Sequence, residues 1–488
     1  MRRLHRALAI SLILGGLTAS SARAEERLVS LLPPVGRAPG AFEPLPPPGF
    51  TPGETPPPTT PTDPAAGSVV RPKGANLPRG GPVIDGCEPE AEPTQPFAIQ
   101  FPIPRLCCPD FGGKLCAYCC AGDHNPADVD DPTWARFEFL MWWFQRAHLP
   151  PLITTSDDPA DLGVIGNPTT RVLFGDGDVK LPLKMGGRVT IGSWFEPTET
   201  LGVEVSFGFL VNHAEKFDVF GLGNGWPLIA RPFINALNGQ QDSVIVATPD
   251  IPSFEIFNHQ GRIIANLPGN LYSFELSGVT NYCRGSQSRI DWIYGFRYLY
   301  LSEGVGIFEG VANPSDSPEF PNLVTSVEES FTAKNYIYMP QIGIRSEHRW
   351  GRWHLETELK VGAGWNHRAA KAVGRTITEQ EGVGQVFNGG MLVLSSNYGN
   401  YNADNFIVVP EVGIRLRYEV VDHFSITAGY NFLFLSEVWR PGDLIDLRLN
   451  PDLFPPLERP VNPRVPQFQN NTTSFYAQGL SLGLEFRY

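Results

Sequence analysis

The feature that most constrains this chain is an alternation of apolar and polar residues at every second position, running from Trp134 to Tyr488. Between Leu201 and Phe209, for example, the odd positions hold Leu, Val, Val, Phe and Phe, whereas the even positions hold Gly, Glu, Ser and Gly. Side chains of a β-strand point alternately to its two faces, so each such segment predicts a strand with one apolar and one polar face. The pattern recurs about ten times and predicts an all-β domain.

The connections between the predicted strands alternate in length. The strands are 134–144, 186–195, 200–211, 270–280, 288–302, 331–348, 352–366, 404–420, 423–437 and 474–488. Long connections lie at 145–185, 212–269, 303–330, 367–403 and 438–473, and the other connections are short turns. Short turns at one end and long loops at the other are typical of outer-membrane barrels. We therefore predict an antiparallel transmembrane β-barrel of about ten strands, between about 8 and 12; a soluble all-β protein is the alternative.

The composition argues against several other classes of protein. The 50 glycines and 47 prolines are too many for a helical bundle, because both residues disfavour helices. After residue 24 no run approaches 18 consecutive apolar residues, which argues against membrane-spanning helices. The formal net charge of −13 argues against nucleic acid as a partner, because such binding depends on basic patches.

The first 24 residues have the pattern of a cleaved signal peptide. Arg2, Arg3 and Arg6 precede an apolar stretch, and a small-x-small site ends at Ala24. An uncleaved anchor is the alternative, but the apolar stretch is shorter than the roughly 20 residues that a membrane span requires. We expect export and cleavage near Ala24.

Two further segments precede the strands. Residues 25–109 contain 22 of the 47 prolines and predict a disordered, largely polyproline-like periplasmic tether; a ligand for a proline-binding groove is the alternative. Residues 110–133 form a Cys-rich linker. The clustered cysteines are Cys87, Cys107, Cys108, Cys116, Cys119 and Cys120. In an exported chain they are disulfide candidates in a small knot, whereas zinc or a redox pair at Cys116 and Cys119 is the alternative.

The last predicted strand carries an assembly signal. Leu480, Leu482 and Leu484 share one face with Phe486 and Tyr488, and the strand ends on an aromatic residue. This ending is typical of barrels that the outer-membrane assembly machinery inserts. Candidates for aromatic girdles at the lipid headgroups are Trp143, Tyr298, Tyr300, Tyr336, Tyr338, Tyr430 and Tyr488.

Four segments resemble one known family. They are Trp134-Ala-Arg-Phe-Glu-Phe-Leu-Met-Trp-Trp143, Tyr294-Gly-Phe-Arg-Tyr-Leu-Tyr-Leu-Ser-Glu303, Tyr430-Asn-Phe-Leu-Phe-Leu-Ser-Glu-Val-Trp-Arg-Pro-Gly-Asp443 and Gln478-Gly-Leu-Ser-Leu-Gly-Leu-Glu-Phe-Arg-Tyr488. Residues 134–488 are similar to the beta-barrel porin 7 family of planctomycete outer-membrane proteins. The resemblance implies an outer-membrane barrel and transfers no catalytic motif.

Strand parity predicts which charged residues line the lumen. The candidates are Arg136, Glu204, Asp291, Arg297, Arg345, Glu356, Glu358, Lys360, Glu411, Arg415, Arg417 and Glu485, and Arg188, Arg487, Glu138, Glu275 and Glu347 share their parity. Together these are eight bases and nine acids. A selective pore would show one dominant sign at a constriction. The balance instead predicts ion pairs across a narrow lumen, with inward glycines such as Gly208 and Gly295 giving long side chains room.

These observations lead to three functional hypotheses. The first is an outer-membrane barrel that passes small polar solutes or displays its long loops. The second is a plugged barrel that organises the envelope without transport, and the third, less favoured, is a hydrolase at the outer rim. We predict a non-enzymatic protein without cofactors. Its expected partners are outer-membrane lipid, the barrel assembly machinery and, through the N-terminal segment, the cell wall or a periplasmic protein.

Overall fold

The computed structural model describes residues 132–488 except 196–198, 212–213, 223, 255, 316, 318–319 and 457–461. The predicted signal peptide, tether and cysteine cluster lie outside the described residues. The described part is built from strands and four short 3₁₀ turns at Pro159–Asp161, Pro252–Phe254, Pro441–Leu444 and Pro451–Leu453. Within these residues no helix has the length and apolar character needed to cross a membrane.

Twenty strands are present in the described residues. In chain order they are β1 (Thr133–Phe144), β2 (Ala147–Leu149), β3 (Ile153–Ser156), β4 (Thr170–Phe174), β5 (Gly177–Val179), β6 (Lys184–Trp194), β7 (Leu201–Leu210), β8 (Glu215–Phe220), β9 (Ile229–Asn235), β10 (Gln241–Ala247), β11 (Gln260–Leu267), β12 (Gly269–Arg284), β13 (Ser288–Ala312), β14 (Val324–Trp350), β15 (Trp353–Gln380), β16 (Val383–Asn388), β17 (Gly399–Val421), β18 (Phe424–Val438), β19 (Arg448–Leu449) and β20 (Thr473–Arg487).

Ten of these strands form a ring that closes on itself. Its order is β1, β6, β7, β12, β13, β14, β15, β17, β18 and β20, and β20 pairs back with β1. Every pair in the ring is antiparallel; Phe144 lies opposite Ala477 at the closing pair, and Glu275 lies opposite Arg297 between β12 and β13. The all-β class and the expected ten strands are thereby confirmed.

The expected loops at 303–330 and 367–403 are partly wrong. Residues 303–312 continue β13, residues 324–330 begin β14, and residues 367–380 continue β15. The strands therefore rise beyond the ring, and β11 and β16 pair with these extensions while β8 pairs with β11. The outward residues become polar or small there, for example Gly304 and Gly306, so the segments no longer show the apolar outer face on which the prediction depended.

A second sheet lies at the long-loop end. Strands β10, β9, β3 and β4 form it in that order, with β19 added parallel to β9, and β2 and β5 form a separate pair. Its buried residues, such as Ile229 and Phe233, share one apolar cluster with Ile263 of β11, Val305 of β13 and Phe331 of β14. The long connections, which were expected to be loops, instead contain a packed structure. We call it the cap: β3, β4, β9, β10, β19 and the segment Met391–Val393.

Inward glycines allow neighbouring strands to approach closely. A Cβ added at Gly295 would lie 2.1 Å from the carbonyl oxygen of Leu276, whereas one added at Gly208 would meet nothing nearer than 3.9 Å. Backbone cannot move aside as a flexible side chain can. Gly295 is therefore required by the packing of β12 against β13, a role beyond the room for long side chains predicted from the sequence.

This difference predicts a selective effect of two alanine substitutions. Gly295→Ala is expected to lower the free energy of unfolding by about 1–3 kcal/mol through overpacking, and Gly208→Ala is expected to change it little. Urea titrations of both variants in detergent would measure the difference. Equal stability of the two variants would contradict the close approach at Gly295.

Candidate functional site

The predicted lumen residues lie on the inner face of the ring. All twelve lie in the part of each strand nearer the short turns. Eight are buried, namely Arg136, Asp291, Arg297, Glu356, Lys360, Glu411, Arg417 and Glu485, and four are partly buried, namely Glu204, Arg345, Glu358 and Arg415. We call this set, with Glu138, Arg188, Glu275 and Glu347, the ionic layer. Its innermost members are scarcely accessible to water, since Arg136 and Arg297 are each 4% exposed.

Several ion pairs join strands that are not neighbours in the ring, and three of them illustrate the geometry. Arg345 of β14 donates to both carboxylate oxygens of Glu204 on β7, at 3.1 and 3.0 Å. Arg136 of β1 lies 3.5 Å from Glu356 of β15. Arg297 of β13 is paired with Glu411 of β17. Strands separated in this way can meet only through the interior, so these side chains cross the lumen.

Further ion pairs join these bridges into a network. Arg136 lies 2.7 Å from Glu485, and Arg188 lies 2.6 Å from Glu138. Lys360 contacts three carboxylates, those of Glu275 at 2.8 Å, Glu358 at 2.9 Å and Glu411 at 3.7 Å. Arg415 pairs with Glu356, and Arg417 pairs with Glu347.

Asp291 differs from the other predicted residues because its partners are local. It accepts from Arg289 at 2.8 Å and from Asn281 at 2.8 Å, both near the turn that joins β12 and β13. Arg289 also lies over the ring of Trp194, 4.1 Å from its centroid. This group narrows the short-turn end of the ring.

An apolar layer lies directly beyond the ionic layer, toward the long-loop end. Its members are Leu140, Trp142, Phe144, Leu210, Leu271, Leu299, Leu301, Ile337, Met339, Ile407, Val409, Leu433, Leu435, Val438, Phe475 and Ala477, which come from eight ring strands. The most exposed of them, Phe144, is only 6% exposed. A water-filled bore would leave such inward side chains accessible, so this layer fills the cross-section that its strands enclose.

Small residues let the apolar layer pack closely. A Cβ at Gly362 of β15 would lie 2.4 Å from the sulfur of Met339 on the neighbouring strand. Met339 is fully buried because its side chain occupies the space that Gly362 leaves open. The pairing of a flexible thioether with a glycine is a common way to fill an irregular space in a core.

The cap is fastened to the ring by a buried arginine. Arg231 of β9 donates to Glu309 of β13 at 3.1 Å and to Glu329 of β14 at 2.6 Å. The other oxygen of Glu329 accepts from the backbone nitrogens of Leu392 and Val393, at 2.6 and 2.8 Å. Burial by itself lowers the pKa of Arg231, but the two neighbouring carboxylates raise it by a larger amount. The pKa therefore lies above its ordinary value, and the guanidinium stays charged.

A second arginine closes the region between the cap and the apolar layer. Arg440 makes a bidentate contact with Glu303 of β13, with both N–O distances at 2.8 Å. It also donates to the carbonyl oxygens of Arg146 at 2.7 Å and Gln145 at 3.2 Å. The chain leaving β1 and the chain leaving β18 are thus held together at the mouth of the ring.

A family model described as putative beta barrel porin-7 matches residues 134–488. The chain belongs to this beta-barrel porin family. The matched segment contains nearly all of the ring and the whole cap. No curated protein matches the chain.

Several solved outer-membrane proteins are similar to this porin-family barrel at low identity. Outer membrane protease OmpT from Escherichia coli is 11% identical, with a TM-score of 0.36, over 74% of this chain and 98% of OmpT. A Pseudomonas aeruginosa FadL homologue is 8% identical, with a TM-score of 0.21, over 74% of this chain and 91% of the homologue. The P. putida toluene transporter TodX is 8% identical, with a TM-score of 0.19, over 76% of this chain and 94% of TodX.

The outer face of the barrel carries a broad apolar belt. Exposed residues on it include Phe137, Phe139, Leu276, Ile342, Leu359 and Leu482. Tyrosines lie side by side at its long-loop edge, where ring centroids are 5.0 Å apart for Tyr300 and Tyr336 and 5.1 Å apart for Tyr298 and Tyr338. At the short-turn edge, Phe486 contacts Phe137 and Phe424, and Tyr488 is exposed.

Sequence reasoning missed the residues that hold the cap. Arg231, Glu303, Glu309, Glu329 and Arg440 all fell in predicted loops. A signal was present for three of them, because Glu303, Val305, Ile307 and Glu309 continue the alternation of β13, and Val327, Glu329 and Phe331 begin that of β14. For Arg231 and Arg440 no local pattern indicates a buried ion pair.

Proposed function

We propose that this protein is an outer-membrane barrel with a closed interior, which anchors the cap at the cell surface and does not conduct solutes. In this arrangement the short turns face the periplasm, as in outer-membrane barrels generally. The start of β1 and the end of β20 lie on the same side. The cap then faces outward. The role is non-enzymatic and corresponds to the plugged barrel among the hypotheses from the sequence.

The apolar layer is the observation that supports a closed interior most strongly. Leu299, Ile337, Ile407 and Phe475 come from four different strands and are 0% exposed. Moving a hydrated ion through such a layer would remove its water without offering polar groups in return, which is very costly. The cap covers the same end of the ring and adds a second apolar cluster.

Passage of small polar solutes is the competing function, and the family description as a porin favours it. The ionic layer would then line the path. Its acids and bases are nearly balanced and are paired with one another, so it offers no excess charge of one sign to select ions. We therefore place passage second.

Planar bilayer recordings separate these two functions. The purified protein, shown to be folded by faster gel migration before boiling, is expected to produce no stable unitary conductance. Membrane insertion of the same preparation would be checked independently by protease protection after reconstitution into lipid vesicles. Reproducible single-channel steps from folded protein would overturn the closed interior, and a change of ion selectivity in Arg297→Gln would assign the path to the ionic layer.

The proposal also retains the expected partners and location. The apolar belt is suited to outer-membrane lipid, and the terminal Phe486 and Tyr488 are suited to recognition by the assembly machinery. Contact of the N-terminal segment with the wall or a periplasmic protein remains part of the same proposal. Fractionation of cells after lysis is expected to place the mature chain in the outer membrane.

A further inference from the structure

The outer face of the barrel contains a concave groove of about 960 Å³. It crosses seven neighbouring strands from β7 to β15, and most of its lining residues point outward, away from the ionic layer. Phe209 lies at one end, Trp353 and Tyr418 lie at the other, and Ala428 and Leu482 lie between them. The lining is almost wholly apolar.

Strand register explains the direction of the groove. Phe209 lies opposite Gly187, Gly187 opposite Phe139, Phe139 opposite Leu482, and Leu482 opposite Ala428. Because barrel strands are tilted, such a row of partners climbs obliquely across the belt. Trp353 begins β15 at the short-turn edge, whereas Phe209 is the penultimate residue of β7 at the long-loop edge. The groove therefore runs across the thickness of the belt.

Small side chains within the row make the surface concave. Gly187 and Ala428 occupy outward positions that larger apolar residues hold on the neighbouring strands. The Phe209 ring lies over Gly187. A Cβ added at Gly187 would be 3.3 Å from that ring. The depression is therefore bordered by aromatic rings.

One basic side chain, Arg352, lies in the turn next to the short-turn end of the groove. It precedes Trp353, is exposed, and donates to the carbonyl oxygen of Val420 at 3.3 Å. A guanidinium has five N–H donors, so this contact leaves Arg352 donors for a further acceptor. An apolar groove that ends near a guanidinium and an interfacial tryptophan matches an acyl chain with an anionic head.

The geometry points to a phospholipid site on this barrel, with one acyl chain in the groove and the lipid phosphate at Arg352. This inference rests on the proposed membrane location and adds a specific ligand to it. The lipid belongs to the periplasmic leaflet, because Arg352 lies at the short-turn edge. Aromatic side chains at that level also favour the headgroup region.

Native mass spectrometry of the full chain in mild detergent tests the site, with phosphatidylglycerol of one chain length as the probe. The wild-type protein is expected to retain one tightly bound lipid. Ala428→Phe fills the groove and is expected to lose it, whereas the control Ile342→Phe, on the outer face of β14 outside the groove, is expected to keep it. Arg352→Gln is expected to weaken binding about fivefold, as expected for one basic group near an anionic surface.

Each other outcome would overturn the inference. Equal lipid retention by Ala428→Phe and Ile342→Phe would show that lipid binds elsewhere. A wild-type dimer that Ala428→Phe converts to a monomer would assign the groove to a second copy of the chain. Gel migration before boiling is measured for every variant, so loss of the lipid in a folded barrel is distinguished from failure of the membrane barrel itself. If Ala428→Phe does not fold, Arg352→Gln at the exposed turn decides.

Discussion

Replacing Arg345 by methionine is expected to lower the free energy of unfolding of the barrel by about 3–5 kcal/mol, the usual cost of removing one partner from a buried ion pair. Arg345 bridges Glu204 and Glu358, with its closest approach to Glu358 at 2.7 Å. Glu358 keeps Lys360 as a partner, but Glu204 would lose its bidentate partner across the lumen. Methionine preserves much of the side-chain volume, so the loss reports on charge. Denaturant titration in detergent measures it.

Two further variants give this prediction its controls. Arg262→Met removes an exposed pair with Asp218 and is expected to cost less than about 1 kcal/mol. Adding Glu204→Gln to Arg345→Met neutralises the unpaired carboxylate and is expected to restore much of the lost stability, which a double-mutant cycle quantifies. A single variant Arg345→Met as stable as the wild type would show that the lumen is hydrated, contrary to a closed interior.

Replacing Arg231 by methionine is expected to release the cap while the barrel stays folded. The change leaves Glu309 and Glu329 buried without their shared cation, a loss of about 3–5 kcal/mol at the contact between cap and ring. Glu329 would also be less able to hold the backbone of Leu392 and Val393, because its own position depends on Arg231. Limited proteolysis of cells or vesicles is expected to cut the cap strands faster than in the wild type.

The exposed pair of Arg171 and Asp157 provides the matched control. Both side chains are more than half exposed, so Arg171→Met is expected to leave the rate of proteolysis unchanged. Gel migration before boiling should remain fast in both variants, because the ring does not depend on Arg231. Loss of that fast migration in Arg231→Met would show that cap and barrel unfold together. An unchanged proteolysis rate would contradict the fastening role of Arg231.

The alternation of apolar and polar residues predicted strands correctly where the outer face is apolar and the inner face carries charged side chains. On β13, Tyr294, Phe296 and Tyr298 alternate with Gly295 and Arg297, and this segment was assigned to a strand in the correct phase. The prediction stopped at residue 302, although the strand continues to Ala312. Beyond the belt the outward residues no longer need to be apolar, so the outer apolar face on which the prediction depended ends there. The hydrogen bonding continues, and the apolar residues Val305 and Ile307 lie on the inner face instead.

The apolar layer was harder to predict for the opposite reason. Around Leu140 to Phe144 both faces of β1 are apolar, since Trp142 points inward and Trp143 points outward. A run that is apolar on both faces does not show that its inner side helps to close a lumen. That conclusion requires the positions of the other strands. Phe144, for example, packs against Phe475, which lies more than 300 residues further along the chain, and their ring centroids are 5.2 Å apart.

The sequence by itself determined the all-β class, the ten ring strands and the alternating lengths of their connections, because side-chain alternation and turn residues are local properties. Only the tertiary structure decided that Arg345 meets Glu204, that residues from eight strands fill the interior, and that Arg231 fastens a folded cap. These contacts join residues far apart in the chain, and they depend on strand tilt and register around the closed ring. No pattern within a single strand carries that information.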